Sequence, residues 1–240
     1  MKVVNQNIKQ DVNLGHSKNS YSAPYTPTGI KMAALAGSAA GVLGAAYLLA
    51  KGQSKATGKF VDTFSVKYNP KEILTLGAAS VLGGTAAGIV ADKQEHKKAK
   101  YKEGVYQLIA NVLSPIAAIA VVDKLYSKVS PKIKLPQLKP KNEFNKTVNT
   151  IIKAVPNFAV VSAGLVGGIT AGTVIANNVI SKVFPNHKKK NVSLSALGYH
   201  IDDLVTSASV ADKTGFLQKS LGKFIPLIFT FMGYEAGTKR

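Results

Sequence analysis

Gln107, Asn111 and Ser114 stand at spacings of four and three, so a helix would carry two amides and a hydroxyl on roughly one face, just ahead of Pro115. In hydrocarbon such groups need partners. Two uses follow: hydrogen bonds to a neighbouring helix, or a polar lining for a solute or ion path. The other chemistry-bearing pairs are thinner. His200 and Asp203 lie three apart and meet on one face of a helix, but two ligands do not make a metal site. Ser220-x-x-Lys223 has the spacing of a Ser/Lys nucleophile pair, without the motifs that accompany such enzymes. The sequence holds no Walker loop, no Rossmann fingerprint after a strand, no H-E-x-x-H and no G-x-S-x-G. It has no cysteine, which excludes disulfides, thiolate chemistry and Cys-ligated zinc or iron–sulfur sites. The expectation is a protein that is not an enzyme, with no catalytic residue, no cofactor and no metal.

The elements that must position these residues are written in charge. Residues 32–50, 73–91, 104–122 and 154–180 contain no Asp, Glu, Lys, Arg or His; the first three stretches have 19 residues and the fourth 27. At 1.5 Å rise per residue, 19 residues make about 28 Å of helix, close to the hydrocarbon thickness of a bilayer. A water-facing helix of that length needs a polar stripe. The expected fold is therefore all-α: a polytopic helical membrane protein with four transmembrane helices. Residues 216–237 supply a fifth apolar block, either a short span or an interfacial helix. Pro115 should kink the third span. Pro156 fits a first helical turn in the fourth, and Asn177 and Asn178 fit its exit.

Small residues recur four apart on three of these stretches. Gly37 and Gly41 do so on the first, Gly84 and Gly88 (after Ser80) on the second, and Gly164, Gly168 and Gly172 on the fourth. Residues four apart line one helix face. Lipid gives helices little hydrophobic reason to associate, so close backbone approach over small side chains supplies the packing. The ladders suit contacts within the chain, a homo-oligomer, or a glycine-lined pore. Gly83-Gly84-x-x-Ala87-Gly88 also matches Gly167-Gly168-x-x-Ala171-Gly172, a short internal similarity.

The connectors are basic. Lys and Arg number 31 against 12 Asp and Glu, a formal charge of +19, and Arg240 is the only arginine. Lysine is a hydrated point charge suited to diffuse attraction, so Lys97, Lys98, Lys100, Lys188, Lys189 and Lys190 are expected to face anionic lipid headgroups. No nucleic-acid motif accompanies the charge, and no specific nucleic acid is expected as a partner. Both sets of connectors are lysine-rich, so orientation does not follow from them.

The chain thus divides into a polar tail (1–31), a four-helix transmembrane region (32–180) and a C-terminal part (181–240). The last part joins an amphipathic stripe of Leu194, Leu197, Ile201, Leu204 and Ala208 to the final apolar block. The expected role is structural, scaffolding or membrane-associating, in a bacterial cell (inner) membrane. An oligomeric, holin-like pore and a small-solute carrier are the alternatives.

Overall fold

The computed structural model describes residues 25–185, 188–191 and 224–240. Tail residues 1–24, the stripe from Leu194 to Ala208 with His200 and Asp203, and the Ser220/Lys223 pair lie outside the described residues. The helices are α1 (Thr28–Thr57), α2 (Pro70–Ala91), α3 (Gln94–Gln107), α4 (Ser114–Val129), α5 (Glu143–Val183) and α6 (Ile225–Thr238). A π-helical turn, Leu108–Leu113, joins α3 to α4, so that Gln94–Lys132 is one continuous rod of 39 residues. No strand occurs among the described residues.

Local sequence sets the helix ends. At Gly58 the backbone turns left-handed (φ 66°), a conformation that costs glycine nothing, and α1 stops there. Asn69 caps α2: its side chain accepts from the amides of Lys71 (2.9 Å) and Glu72 (3.4 Å), while Glu72 accepts from the Asn69 amide (3.2 Å). Pro70 follows in the first turn, where a missing N–H does no harm. The Gln53 side chain clamps the α1–α2 loop through both polar atoms of the Lys67 backbone. Asn142 caps α5 through the Asn145 amide at 2.8 Å.

Three of the expected local features come out differently. The connector between the second and third stretches shrinks to Asp92 and Lys93, because α3 begins at Gln94; Lys97, Lys98, Lys100 and Lys102 therefore lie on a helix. Pro156 sits inside α5, not in its first turn, because the Asn142 cap starts that helix well before the apolar stretch. Asn177 does not mark an exit: α5 continues to Val183. Ahead of Pro115 the rod forms the π turn, in which the Ser114 amide reaches the Ile109 carbonyl.

Two groups of helices make the bundle. α1 and α2 pack antiparallel, with Gly37 against Gly83 and Gly41 against Ala79. α6 lies in the groove between them and runs parallel to α2, matching Phe229 with Gly77, Gly233 with Gly84 and Gly237 with Gly88. Its 14 residues are held inside the bundle, with Ile225, Phe229, Gly233 and Ala236 buried. α4 and α5 form the second antiparallel pair, tied to the first through α3 and the π turn.

Polar side chains lie within the apolar core, and large apolar ones cover the outside. Ser38, Ser80, Thr173 and Asn177 are buried, whereas Leu82 (59%), Val90 (84%), Val174 (57%) and Phe231 (57%) face outward. In water such an exterior would be one large sticky patch; in hydrocarbon it is the solvated face. Four helices, Thr28–Thr57, Pro70–Ala91, Gln94–Lys132 and Glu143–Val183, are long and apolar enough to cross a membrane. At 22 residues, α2 is about 33 Å long and α5 is nearly twice that. Beyond the apolar stretches, α4 carries Lys124 and Lys128 over about two turns and α5 carries Lys146 and Lys153 over about three.

Candidate functional site

The described buried Asp, Glu and Lys side chains gather at one end of the bundle, where α2 turns into α3 and α6 ends. Asp92, the C-cap of α2, has a fully buried side chain. Lys100 Nζ, also fully buried, donates to its Oδ2 at 2.7 Å. Arg240 grips the same carboxylate with two N–H groups, Nη2 to Oδ1 at 2.9 Å and Nε to Oδ2 at 3.3 Å. The Lys93 amide adds a fourth donor at 2.8 Å. Burial by itself raises the Asp92 carboxyl, but the Arg240 and Lys100 contacts and the Lys93 amide outweigh it and hold the group well below the usual carboxylate range. The same cations reach the backbone: Lys100 donates to the Lys239 carbonyl (2.7 Å) and Arg240 to the Tyr25 carbonyl (2.8 Å). With Thr26 Oγ1 on the Thr238 carbonyl (3.1 Å), these contacts fasten the start of α1 to the end of α6.

One turn deeper, Glu103 accepts from the Lys190 ammonium with both carboxylate oxygens, at 2.6 and 2.7 Å. The Lys190 ammonium also lies 3.9 Å from the centre of the Tyr106 ring, a cation–π contact. Its backbone is held by the Asn177 amide side chain in both directions. Gln107 Nε2 donates to Glu103 Oε1 (3.0 Å) and to Glu235 Oε2 (3.4 Å), and Asn111 donates to the Gln107 carbonyl. A carboxylate and two amides therefore form a ladder along one face of the rod, running inward from the bundle end. The cavity beside it, about 420 Å3, is open to the outside.

A second polar junction lies at mid-depth between α1, α2 and α6. Ser38 donates to the Thr230 carbonyl at 2.6 Å, Ser80 donates to the Phe229 carbonyl, and the Gly233 amide donates to Ser80 at 3.0 Å. The two hydroxyls also stand 3.0 Å apart. Here two serines read the backbone of a third helix, an arrangement that requires α6 to approach closely.

The expected site residues divide as follows. Gln107 and Asn111 come together, bonded to one another and to Glu103; Ser114 packs on Gly172 and stays out of that ladder. The glycines stand at helix contacts. A Cβ at Gly84 or Gly88 would collide with the carbonyls of Gly233 or Gly237; at Gly164 it would stand 2.9 Å from Ile119 Cα, and at Gly172 2.9 Å from Ala110 Cα. Lys98, Lys188 and Lys189 are exposed and Lys97 is half-buried. Lys100 is not on the surface: the paired Asp92 carboxylate and the Lys239 carbonyl draw it wholly inside. Lys190 likewise turns in to Glu103. Sequence reasoning missed Asp92, Glu103, Glu235 and Arg240 as one constellation. Three signals pointed to it: the lone arginine, an acid at the very edge of an apolar stretch, and Glu235 within the final apolar block.

Compared with protein-family models, curated protein sequences and solved structures, the chain matches none. The fold and the site define its class on their own terms. It is an all-α, polytopic helical membrane protein; among the described residues four helices are able to cross a bilayer and the short α6 is seated among them.

Proposed function

We propose that this is a non-enzymatic structural protein of a bacterial cell (inner) membrane, a bundle built to be rigid in lipid and to hold anionic headgroups with its lysine-rich ends. One observation carries the reading. The glycine faces that could have built an oligomeric pore are occupied within the chain: Gly37 and Gly41 by α2, Gly84 and Gly88 by α6, Gly164, Gly168 and Gly172 by the α3–α4 rod. Surfaces spent on internal packing are not free to line a lumen. The Gln107 and Asn111 amides, bonded to each other, likewise favour a packing role over a solute path. Helical spans are the architecture of inner membranes, where outer-membrane proteins are barrels. Exposed Lys98 lies on α3, six residues beyond Asp92, and exposed Lys188 and Lys189 precede the Lys190 that reaches Glu103; each lysine near an anionic surface contributes about 1 kcal/mol of attraction.

Reconstitution into dye-loaded vesicles tests the reading. The protein is expected to resist alkaline carbonate extraction and to leave vesicles sealed at high load. Vesicles containing anionic lipid should incorporate it more readily than neutral ones, with an advantage that fades in high salt. Rapid dye release together with cross-linked multimers would favour the pore. Saturable uptake of a small solute without dye release would favour the carrier.

A further inference from the structure

The chain doubles back after α5. That helix ends at Val183, yet the backbone N–H and carbonyl of Lys190 are both held by the side chain of Asn177, which lies inside the charge-free stretch 154–180. The Lys190 ammonium reaches Glu103 and the Tyr106 ring. At Lys190 the chain therefore stands at the Asp92 end, turned back toward the bundle. Phe224 stands at the other end. Ile225 packs with Ala50, Val66 and Tyr68 beside the α1–α2 loop, and α6 then runs back parallel to α2. Residues 192–223 have to join these ends, which the 14 residues of α6 set about 21 Å apart. The two ends also bracket one exposed face. Leu227, Phe231 and Glu235 stand four apart on α6, the first two 58% and 57% exposed. Phe224 adjoins one end of that row. At the other end Glu235 and Lys190 line one open cavity of about 420 Å3, together with Gln107 of the rod. One turn deeper on the rod, Asn111 donates one amide N–H to Gln107, and its second meets no acceptor among the described residues.

We infer that residues 192–223 cross the bilayer antiparallel to α6, seated on its Leu227–Phe231–Glu235 face and against the Gln107–Asn111 side of the rod. The inference rests on the bilayer-embedded reading above and names the occupant of a face that the described helices leave open. The direction of the chain requires a crossing. α1, α2, the rod and α5 bring it back to the Asp92 end, and α6 leaves Arg240 on Tyr25, where α1 begins. Both hold only if the chain passes to the far end between Lys190 and Phe224. Its length suffices: the twenty residues 192–211 reach about 30 Å at helical rise. Among Asp, Glu, Lys, Arg and His, those twenty contain only His200, Asp202 and Asp203. Acids at that depth have to face protein, not lipid, and an unused amide N–H such as that of Asn111 is the donor they need. That requirement selects the cleft beside the rod over a path through open lipid.

Photocrosslinking of the full chain in sealed vesicles tests this. A benzophenone side chain in place of Phe231 is expected to attach to a peptide from residues 192–223 of the same chain, identified by digestion and mass spectrometry. The same group in place of Leu227 should do likewise, which keeps the test intact if the Phe231 variant fails to fold. In place of Leu82, on the outward face of α2, it should attach to lipid. In parallel, Lys189→Cys and Phe224→Cys should react with an impermeant maleimide from opposite faces of the vesicle. Adducts to lipid alone at both Phe231 and Leu227 would overturn the proposal, leaving that face to the bilayer. Adducts joining isotopically distinct copies would overturn it in favour of a second copy, and labelling of both thiols from one face would remove the crossing itself. Carbonate extraction of the same vesicles separates the two readings. A chain that stays in the membrane pellet but gives no such adduct loses this crossing and keeps its membrane assignment; one that is extracted loses both.

Discussion

Ser80 of α2 accepts a hydrogen bond from the backbone amide of Gly233 in α6, 3.0 Å away and 153 positions along the chain. The same hydroxyl donates to the Phe229 carbonyl, and Ser38 of α1 stands 3.0 Å from it. One side-chain oxygen thus ties α6 to both of its neighbours at a depth where water cannot substitute.

Ser80→Ala is expected to lower stability by about 1–2 kcal/mol, the upper part of the range for hydrogen bonds between membrane helices. Ser38→Ala should cost less, since it serves only the Thr230 carbonyl and Ser80. The double variant should cost less than the sum, because the hydroxyls share their partners. Unfolding in a detergent–SDS titration reads all three. Additive losses would show that the two serines act independently.

Gly167 and Gly168 are adjacent in sequence and opposite in environment. A Cβ at Gly167 meets nothing within 4 Å, while one at Gly168 would stand 2.9 Å from the nitrogen of Pro115 and closer still to its Cα. Gly167→Ala should be neutral or should stabilise α5 by about 0.5–1 kcal/mol through the lower backbone entropy of the unfolded chain. Gly168→Ala should destabilise by about 1–3 kcal/mol, because the rod carrying Pro115 must move away. The opposed signs exclude a mere helix-propensity effect. Equal shifts in the same titration would mean that α5 does not pack against Pro115.

The spans were legible because charge is absent from them: a chain with 31 basic and 12 acidic residues leaves four long stretches without any, where a water-facing helix needs a polar stripe. The Gly84 and Gly168 ladders were legible as packing faces for the same local reason, a fixed spacing on one helix. Their partners were not. Nothing in the local sequence of α2 says that Gly88 meets Gly237, because that choice depends on where α6 is threaded. The ionic site was hidden for a related reason. Asp92 and Arg240 are 148 positions apart, and an exposed lysine in the sequence looks the same as Lys100, which the fold encloses. Pairing of distant charges is a property of the assembled bundle, whereas periodicity and charge exclusion are properties of a segment.

Asp92 gives the stability a defined pH dependence. Its folded-state carboxyl is held low by Arg240 and Lys100 against the opposing effect of burial. The unfolded chain takes up a proton near pH 4, the ordinary value for aspartate. The contribution of the carboxylate is therefore complete above about pH 4 and is lost as pH falls through that value toward the depressed folded one. Melting temperatures from pH 7 down to pH 2 should fall steeply in the acid range, and Asp92→Asn should start lower at pH 7 and fall less. A variant whose profile runs parallel to the parent's would remove Asp92 from this role.

Arg240 should tolerate replacement poorly, even by lysine. Its guanidinium reaches both Asp92 oxygens and the Tyr25 carbonyl at once, a fork that an ammonium cannot reproduce. Arg240→Lys should be intermediate between the parent and Arg240→Ala. Asp92→Ala should be worse than either, by about 3 kcal/mol or more, because it strips the carboxylate from a fully buried Lys100. Thermal unfolding orders the series; a harmless Asp92→Ala would show that Lys100 finds solvent in solution.

The bundle makes a prediction about sidedness that the lysine counts alone do not. Tyr25 and Arg240 are in direct contact, so the start of α1 and the end of α6 share one side. Lys190, on Glu103, lies at that same end. Ile225 packs with Leu76, Ala46 and Tyr68 at the opposite end, beside the α1–α2 loop. The chain has no native cysteine, so single introduced thiols report cleanly. Thr26→Cys and Lys239→Cys should react with an impermeant maleimide from one face of sealed vesicles, and Phe60→Cys, Leu138→Cys and Phe224→Cys from the other. Phe224→Cys decides most, because α6 is a separate element whose direction follows only from its contacts. Labelling of Phe224→Cys from the same face as Lys239→Cys would mean that α6 does not traverse the bundle, and the Ser80–Gly233 junction would then have to be abandoned.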